Sequence, residues 1–155
     1  MRETLARGNW DEGYTVLTVT DEPEDAPVEG YESKKLMYGF KSLNENRKDS
    51  PCVEFTSMEL RELIRQTRLN LGTGVFSEPD FEKIQNWYDT NGEGVVAEIG
   101  REDGYRKQFK ISENDDNGKP YFKIQRFSEN GGNLQTLPTM GRQEFEQIFS
   151  GVAIL

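Results

Sequence analysis

The chain reads as an α+β protein made of two antiparallel sheet-plus-helix units packed together. Two observations predict this. Strand-like sequence runs twice into a helix with a periodic apolar stripe, once in "CVEFTSMELRELI" and once in "LQTLPTMGRQEFEQIF". The strands between them are short, rich in β-branched and aromatic residues, and separated by polar turns, which is the pattern of antiparallel pairing. The units are expected over residues 1–72 and 73–155, meeting near "LGTG" (71–74) within one compact globule.

In the first unit, "YTVLTVT" is a β-branched strand, and the acidic, Pro-containing "DEPEDAPVEG" after it reads as a loop. "SKKLMYGFKSL" sets Leu36, Tyr38 and Phe40 against Lys35, Met37 and Lys41, a half-buried strand with a basic outer edge. "CVEF" is a further short strand. Thr56 stands three residues before Glu59, the spacing of a capping box, and predicts a helix start. Leu60, Leu63, Ile64, Thr67 and Leu71 then recur at helical spacing, and Gly72 marks the stop. Arg61, Arg65 and Arg68 share another face of this helix and read as solvated surface.

The second unit opens with "SEPDFEKIQNWYDTNGEG", where Ser77 suits the cap and Phe81, Ile84 and Tyr88 fall on one face. Its end resembles a calcium-binding loop through Asp89, Asn91, Glu93 and Gly94. The twelfth position, which should be a bidentate Glu, is Gly100, so the segment reads as a helix-terminating turn. "VVAEIG", "YRKQFKIS" and "PYFKIQRF" form an antiparallel meander, with Asn-Gly turn chemistry in "NDDNG". "LQTL" adds a strand. A final helix follows, with Thr139 expected at its cap and Phe145, Ile148, Phe149 and Val152 as its stripe.

The 155 residues include no histidine, which removes Ser-His-Asp and Cys-His catalysis and leaves little to bind zinc. No carboxylate pair has specific spacing around it, so no enzyme, metal or cofactor is expected. Cys52, the single cysteine, cannot form an internal disulfide, and reads as a small buried hydrophobe. Trp10 and Trp87 read as packing residues. Neither a membrane span nor a signal peptide is visible, and a cytoplasmic location is expected, in a host cell if the protein is viral. The apolar terminal "VAIL" is expected to pack or to meet a partner, which leaves a homodimer open.

The net charge of −9 argues against a protein that coats duplex nucleic acid, yet residues 101–126 hold seven basic and five acidic side chains. Alternation sorts this stretch. Phe109 and Ile111 share a face on one strand, and Phe122 and Ile124 on the next. The opposite face then carries Arg106, Gln108 and Lys110 beside Tyr121, Lys123 and Gln125. Cations, amides and an aromatic on one curved surface suit single-stranded nucleic acid, with bases on rings and phosphates on cations.

The segment from residue 105 to 149, a curved antiparallel sheet running into "EFEQIF", resembles the modules of the PC4-like, Whirly and Pur single-strand binders. Residues 31–69 follow a looser version. The resemblance implies paired sheet-plus-helix units that bind through exposed sheet faces, and tandem modules in one chain suit the Pur type. The expected partner is single-stranded DNA or RNA, held by Arg106, Gln108, Lys110, Tyr121, Lys123 and Gln125, with Lys35 and Lys41 from the first unit. The alternative is a non-enzymatic acidic protein that binds or inhibits a protein partner, even as a viral mimic of DNA. In that reading Glu22, Glu24, Asp25, Asp115 and Asp116 carry the function.

Overall fold

The computed structural model describes residues 2–10, 12–20, 37–46, 50–76, 81–100, 105–114, 118–128 and 132–152. Two four-stranded antiparallel sheets, each in sequential strand order, account for the strands of this α+β fold. The first contains β1 (Glu3–Trp10), β2 (Gly13–Thr20), β3 (Met37–Asn44) and β4 (Cys52–Thr56), and leads into α1 (Ser57–Leu71). After α2 (Phe81–Asn91), the second contains β5 (Gly94–Gly100), β6 (Arg106–Glu113), β7 (Pro120–Phe127) and β8 (Asn133–Thr136), and leads into α3 (Arg142–Val152).

Local chemistry explains the boundaries. The capping box at α1 is complete: the Glu59 N–H donates to Thr56 Oγ1 at 3.1 Å and the Thr56 N–H to Glu59 Oε1 at 2.8 Å. Gly72 ends α1 in the left-handed region, at φ 102°. The calcium-like segment closes α2. Gly92, at φ 72°, donates its N–H to the Tyr88 carbonyl at 2.7 Å, and β5 starts two residues later.

Three expectations need correction. β1 was not anticipated, because "ETLARGNW" lacks the β-branched enrichment that marks β2; it forms by pairing along β2 as an edge strand. Met37 was expected on a basic outer edge but is fully buried, as Phe40 on the other face is. The cap of α3 falls at Gly141 instead of Thr139. The Gly141 N–H donates to Glu144 Oε1 at 3.3 Å, while the Thr139 carbonyl accepts from the Asn114 amide at 3.0 Å.

One continuous core joins the two units. Phe40 and Phe55 from the first sheet meet Phe109 from the second, with ring centroids 6.3 and 6.0 Å away. Phe149 of α3 contacts Phe40, Phe76, Phe109 and Phe122. Each unit's helix also lies on the other unit's edge strand. From α1, the Gln66 side chain brackets the Glu98 backbone of β5, donating to its carbonyl at 3.0 Å and accepting its N–H at 2.8 Å. From α3, the Gln147 side chain accepts the Asn9 N–H of β1 at 2.9 Å. Gly8 permits this approach, since a Cβ there would stand 2.7 Å from the Glu144 carbonyl oxygen and 2.8 Å from Ile148 Cγ1.

The exchange makes the two units quasi-equivalent. Buried Glu59, Leu60, Leu63, Ile64 and Thr67 in α1 recur with the same spacing as Glu144, Phe145, Ile148, Phe149 and Val152 in α3, all buried. The sheets match likewise: Leu17 opposite Phe40 corresponds to Phe109 opposite Ile124, and Thr15 opposite Ser42 to Lys107 opposite Arg126.

Candidate nucleic-acid interface

Phe109, Ile111, Phe122 and Ile124 are fully buried, which orients the second sheet as alternation requires. Its outer face is organised by cross-strand rows. Arg106 faces Phe127, Gln108 faces Gln125, Lys110 faces Lys123, and Ser112 faces Tyr121.

The rows differ in what they present. Tyr121 is only 3 % exposed and packs edge-on against Phe81 of α2, with centroids 5.8 Å apart. Burial also raises the pKa of its phenol. Tyr121 therefore offers no free ring for a base, contrary to the sequence expectation. Its counterpart in the first sheet, Met37 opposite Thr20, is buried as well. Gln108 and Gln125 are also buried, because the Gln108 amide donates to Gln125 Oε1 at 2.7 Å and the Gln125 amide to Thr136 Oγ1 at 3.3 Å. One hydrogen bond thus joins the pair, and Thr136 takes the Gln125 amide.

The cations are more available. Arg106, Lys110 and Lys123 are half-buried on the outer face. Lys110 Nζ pairs with Glu93 at 2.9 Å, and this pairing holds the Glu93 carboxyl below its ordinary range, with Lys123 adding to the effect. The Arg106 guanidinium lies 4.5 Å from the centroid of Phe127, and its Nε is buried with no hydrogen-bond partner among the described residues.

The first sheet also sets an arginine over an aromatic ring, though from a different strand pair. Tyr14 faces Leu43 in the row that matches Arg106 and Phe127, and Arg7 from β1 covers its ring at 3.7 Å. Arg7 is exposed and donates Nε to Asn9 Oδ1 at 2.9 Å. Lys41 stands in the next row, opposite Val16 and Cys52, and is half-buried. Tyr14, Arg7 and Phe127 were missed by the sequence reading. Tyr14 and Phe127 were legible by parity, each opposite to its core neighbours, whereas Arg7 lay in a strand that was not recognised. Lys35 and the acids Glu22, Glu24, Asp25, Asp115 and Asp116 lie outside the described residues.

Lys107 sits on the core face between these rows and is fully buried. Its ammonium donates to the Glu54 carbonyl and stands 3.4 Å from Glu59 Oε1, with neither side chain exposed. Its parity with Phe109 and Ile111 gave the signal: a lysine on an apolar strand face needs a buried partner. Among the described residues no three His, Cys, Asp or Glu side chains gather to hold a metal ion, and no helix is long and apolar enough to cross a membrane. Compared with family models, curated proteins and solved structures, the chain matches none.

Proposed function

We propose that the protein binds single-stranded nucleic acid, DNA or RNA, through the outer faces of its two sheets, in the manner of tandem Pur-like or PC4-like modules. The observation that carries this reading is an arginine over an aromatic ring on each sheet, Arg7 over Tyr14 and Arg106 over Phe127. A guanidinium plane on a ring presents a flat cationic surface on which an unpaired base stacks, while its N–H groups reach phosphate oxygens. Lys41 beside the first row and Lys110 and Lys123 beside the second extend the positive surface along a backbone path.

The chain's overall acidity fits a single strand better than a duplex. Stacking on aromatic and guanidinium planes needs no large positive field, whereas duplex affinity comes mainly from phosphate contacts. Nothing in this reading requires a cofactor or a catalytic step.

Fluorescence anisotropy with labelled single-stranded and duplex oligonucleotides at low salt tests it. Single strands should bind more tightly than duplex. Phe127→Ala or Tyr14→Ala should each cost roughly 1–3 kcal/mol at any salt concentration, as expected for loss of a stacking platform. Absence of single-strand binding at low salt would overturn the proposal and favour an acidic protein that engages a protein partner.

A further inference from the structure

The three arginines on α1 that read as solvated surface line a cleft. Arg61, Arg65 and Arg68 surround a volume of about 350 Å³ together with Ile64, Leu69 and Thr73. The sequence has 28 acidic and 19 basic residues, yet among the described residues no acid lines this cleft.

Arg68 is the most constrained of the three. It is half-buried, its guanidinium lies 5.9 Å from the Phe76 ring centroid, and its Nε is buried without a hydrogen-bond partner among the described residues. Desolvating a cationic side chain is costly, and an anion beside the Arg68 guanidinium in the cleft would offset that cost. Arg65 is held from the side by Glu62, with Nε to Oε2 at 2.9 Å and Nη2 to Oε1 at 2.5 Å. That contact keeps the Glu62 carboxyl below its ordinary range. Two of the three guanidinia thus remain for a ligand, and the third is shared.

We propose that this cleft is a binding site for phosphate oxyanions, distinct from the sheet faces. Guanidinium is the side chain best matched to phosphate, since its planar fork donates two parallel hydrogen bonds. Arg61 and Arg68 are seven residues apart on one helix, about 10 Å along its axis, which leaves room for two linked phosphate groups. Leu69 is 73 % exposed at the rim, and it gives an apolar contact to whatever carries the phosphates. The site extends from Arg61 past the C-terminal end of α1 to Thr73, where the helix dipole disfavours an anion, so the arginines supply the attraction. Two linked phosphates could come from a nucleoside di- or triphosphate or from adjacent links of a nucleic-acid strand, and both meet the same chemistry.

NMR of the ¹⁵N-labelled full chain, following arginine Nε–Hε signals during titration with inorganic pyrophosphate, tests the site directly. The Arg61, Arg65 and Arg68 signals should move together while those of Arg2 and Arg142 stay still. Arg68→Ala should weaken pyrophosphate binding about tenfold, the usual loss for a charge-assisted hydrogen bond. Arg68→Lys, which keeps the charge without the fork, should weaken it less. Glu62→Gln should tighten it, because it removes a competing carboxylate from the side of Arg65. Lys123→Thr, on the sheet, should leave it unchanged even if strand binding falls, which separates this site from the sheet proposal. Loss of nucleoside triphosphate binding in Arg61→Ala with unchanged oligonucleotide binding would identify the small-molecule source. A lower salt slope for oligonucleotides in the same variant would identify the strand. If none of the three signals moves up to about 10 mM pyrophosphate, above even weak millimolar dissociation constants, the cleft is plain helix surface and the proposal fails.

Discussion

Glu59 and Glu144 hold the same place at the start of α1 and α3, and each reaches under the sheet of the other unit. The partners they meet differ. Glu59 lies 3.4 Å from Lys107 of β6, whereas Glu144 is hydrogen-bonded by the Thr15 hydroxyl of β2, at the strand position that matches Lys107. One joint is a buried ion pair, and the other a buried acid served by neutral donors. Burial therefore raises the Glu144 pKa to about 7, because desolvation of the carboxylate outweighs its hydrogen bonds to Thr15 and the Gly141 N–H. The quasi-equivalent fold thus tolerates two solutions to one problem, a carboxyl group placed inside the core by its own helix cap.

Removing Lys107 should show how much the charged joint depends on its cation. Lys107→Met removes the ammonium that Glu59 and the Glu54 carbonyl share, and breaking a buried ion pair by removing one partner typically costs about 3–5 kcal/mol. Urea unfolding should report a loss of that size, with most of it recovered when Glu59→Gln is added. Thr15→Val at the matching position should cost only about 1 kcal/mol, since it removes one hydrogen bond to an acid that is mostly neutral below pH 7. Equal losses from the two substitutions would contradict the distinction between the joints.

A pH series sharpens the same contrast. In the folded chain Glu144 stays protonated until about pH 7, whereas after unfolding it ionises near its ordinary 4.5. Between those values the unfolded state binds fewer protons, so stability falls as pH rises. The contribution is present in full below pH 4.5, is lost progressively towards pH 7, and changes little above it. A shift of this size corresponds to roughly 3 kcal/mol, at about 1.4 kcal/mol for each unit. Glu144→Gln keeps an acceptor for Thr15 without the titration, and should flatten the urea midpoint across this window. A parent and variant with parallel pH curves would place the titrating group elsewhere.

Much of this arrangement was written in local sequence signals. The capping box at Thr56, the apolar stripes of α1 and α3, and the inward parity of Phe109, Ile111, Phe122 and Ile124 each depend on residues close in the chain. What was hidden depends on distant neighbours. β1 exists because β2 pairs with it and α3 lies across Gly8. Tyr121 looks like an outer-face residue by alternation, and becomes core-like because Phe81 packs on it. The order of elements showed the repeat between the units, but its residue-level match did not show, because it resides in buried positions, where Leu60 answers to Phe145 and Thr15 to Lys107, not in residue identity.

The last contrast is the gentlest and lies on the outer faces. Lys110 faces Lys123 in the second sheet, while the matching row of the first places Thr18 opposite Gly39. Like charges directly across an antiparallel pair destabilise it, by roughly 0.2–1 kcal/mol. Glu93 relieves part of this by holding Lys110 at 2.9 Å. If the opposed lysines serve a phosphate backbone, removing one should move stability and binding in opposite directions. Lys123→Thr, which preserves the Lys110–Glu93 pair, should leave stability unchanged or raise it by a few tenths of a kcal/mol. The same variant should bind single strands more weakly and lower the slope of log K against log salt by about 0.7, one phosphate contact. Anisotropy across a salt series and urea unfolding of the same preparation measure the two effects side by side. A variant that loses stability while its salt slope stays at the parent value would mean that Lys123 serves the fold, leaving the arginine-covered rings of Tyr14 and Phe127 to act without it.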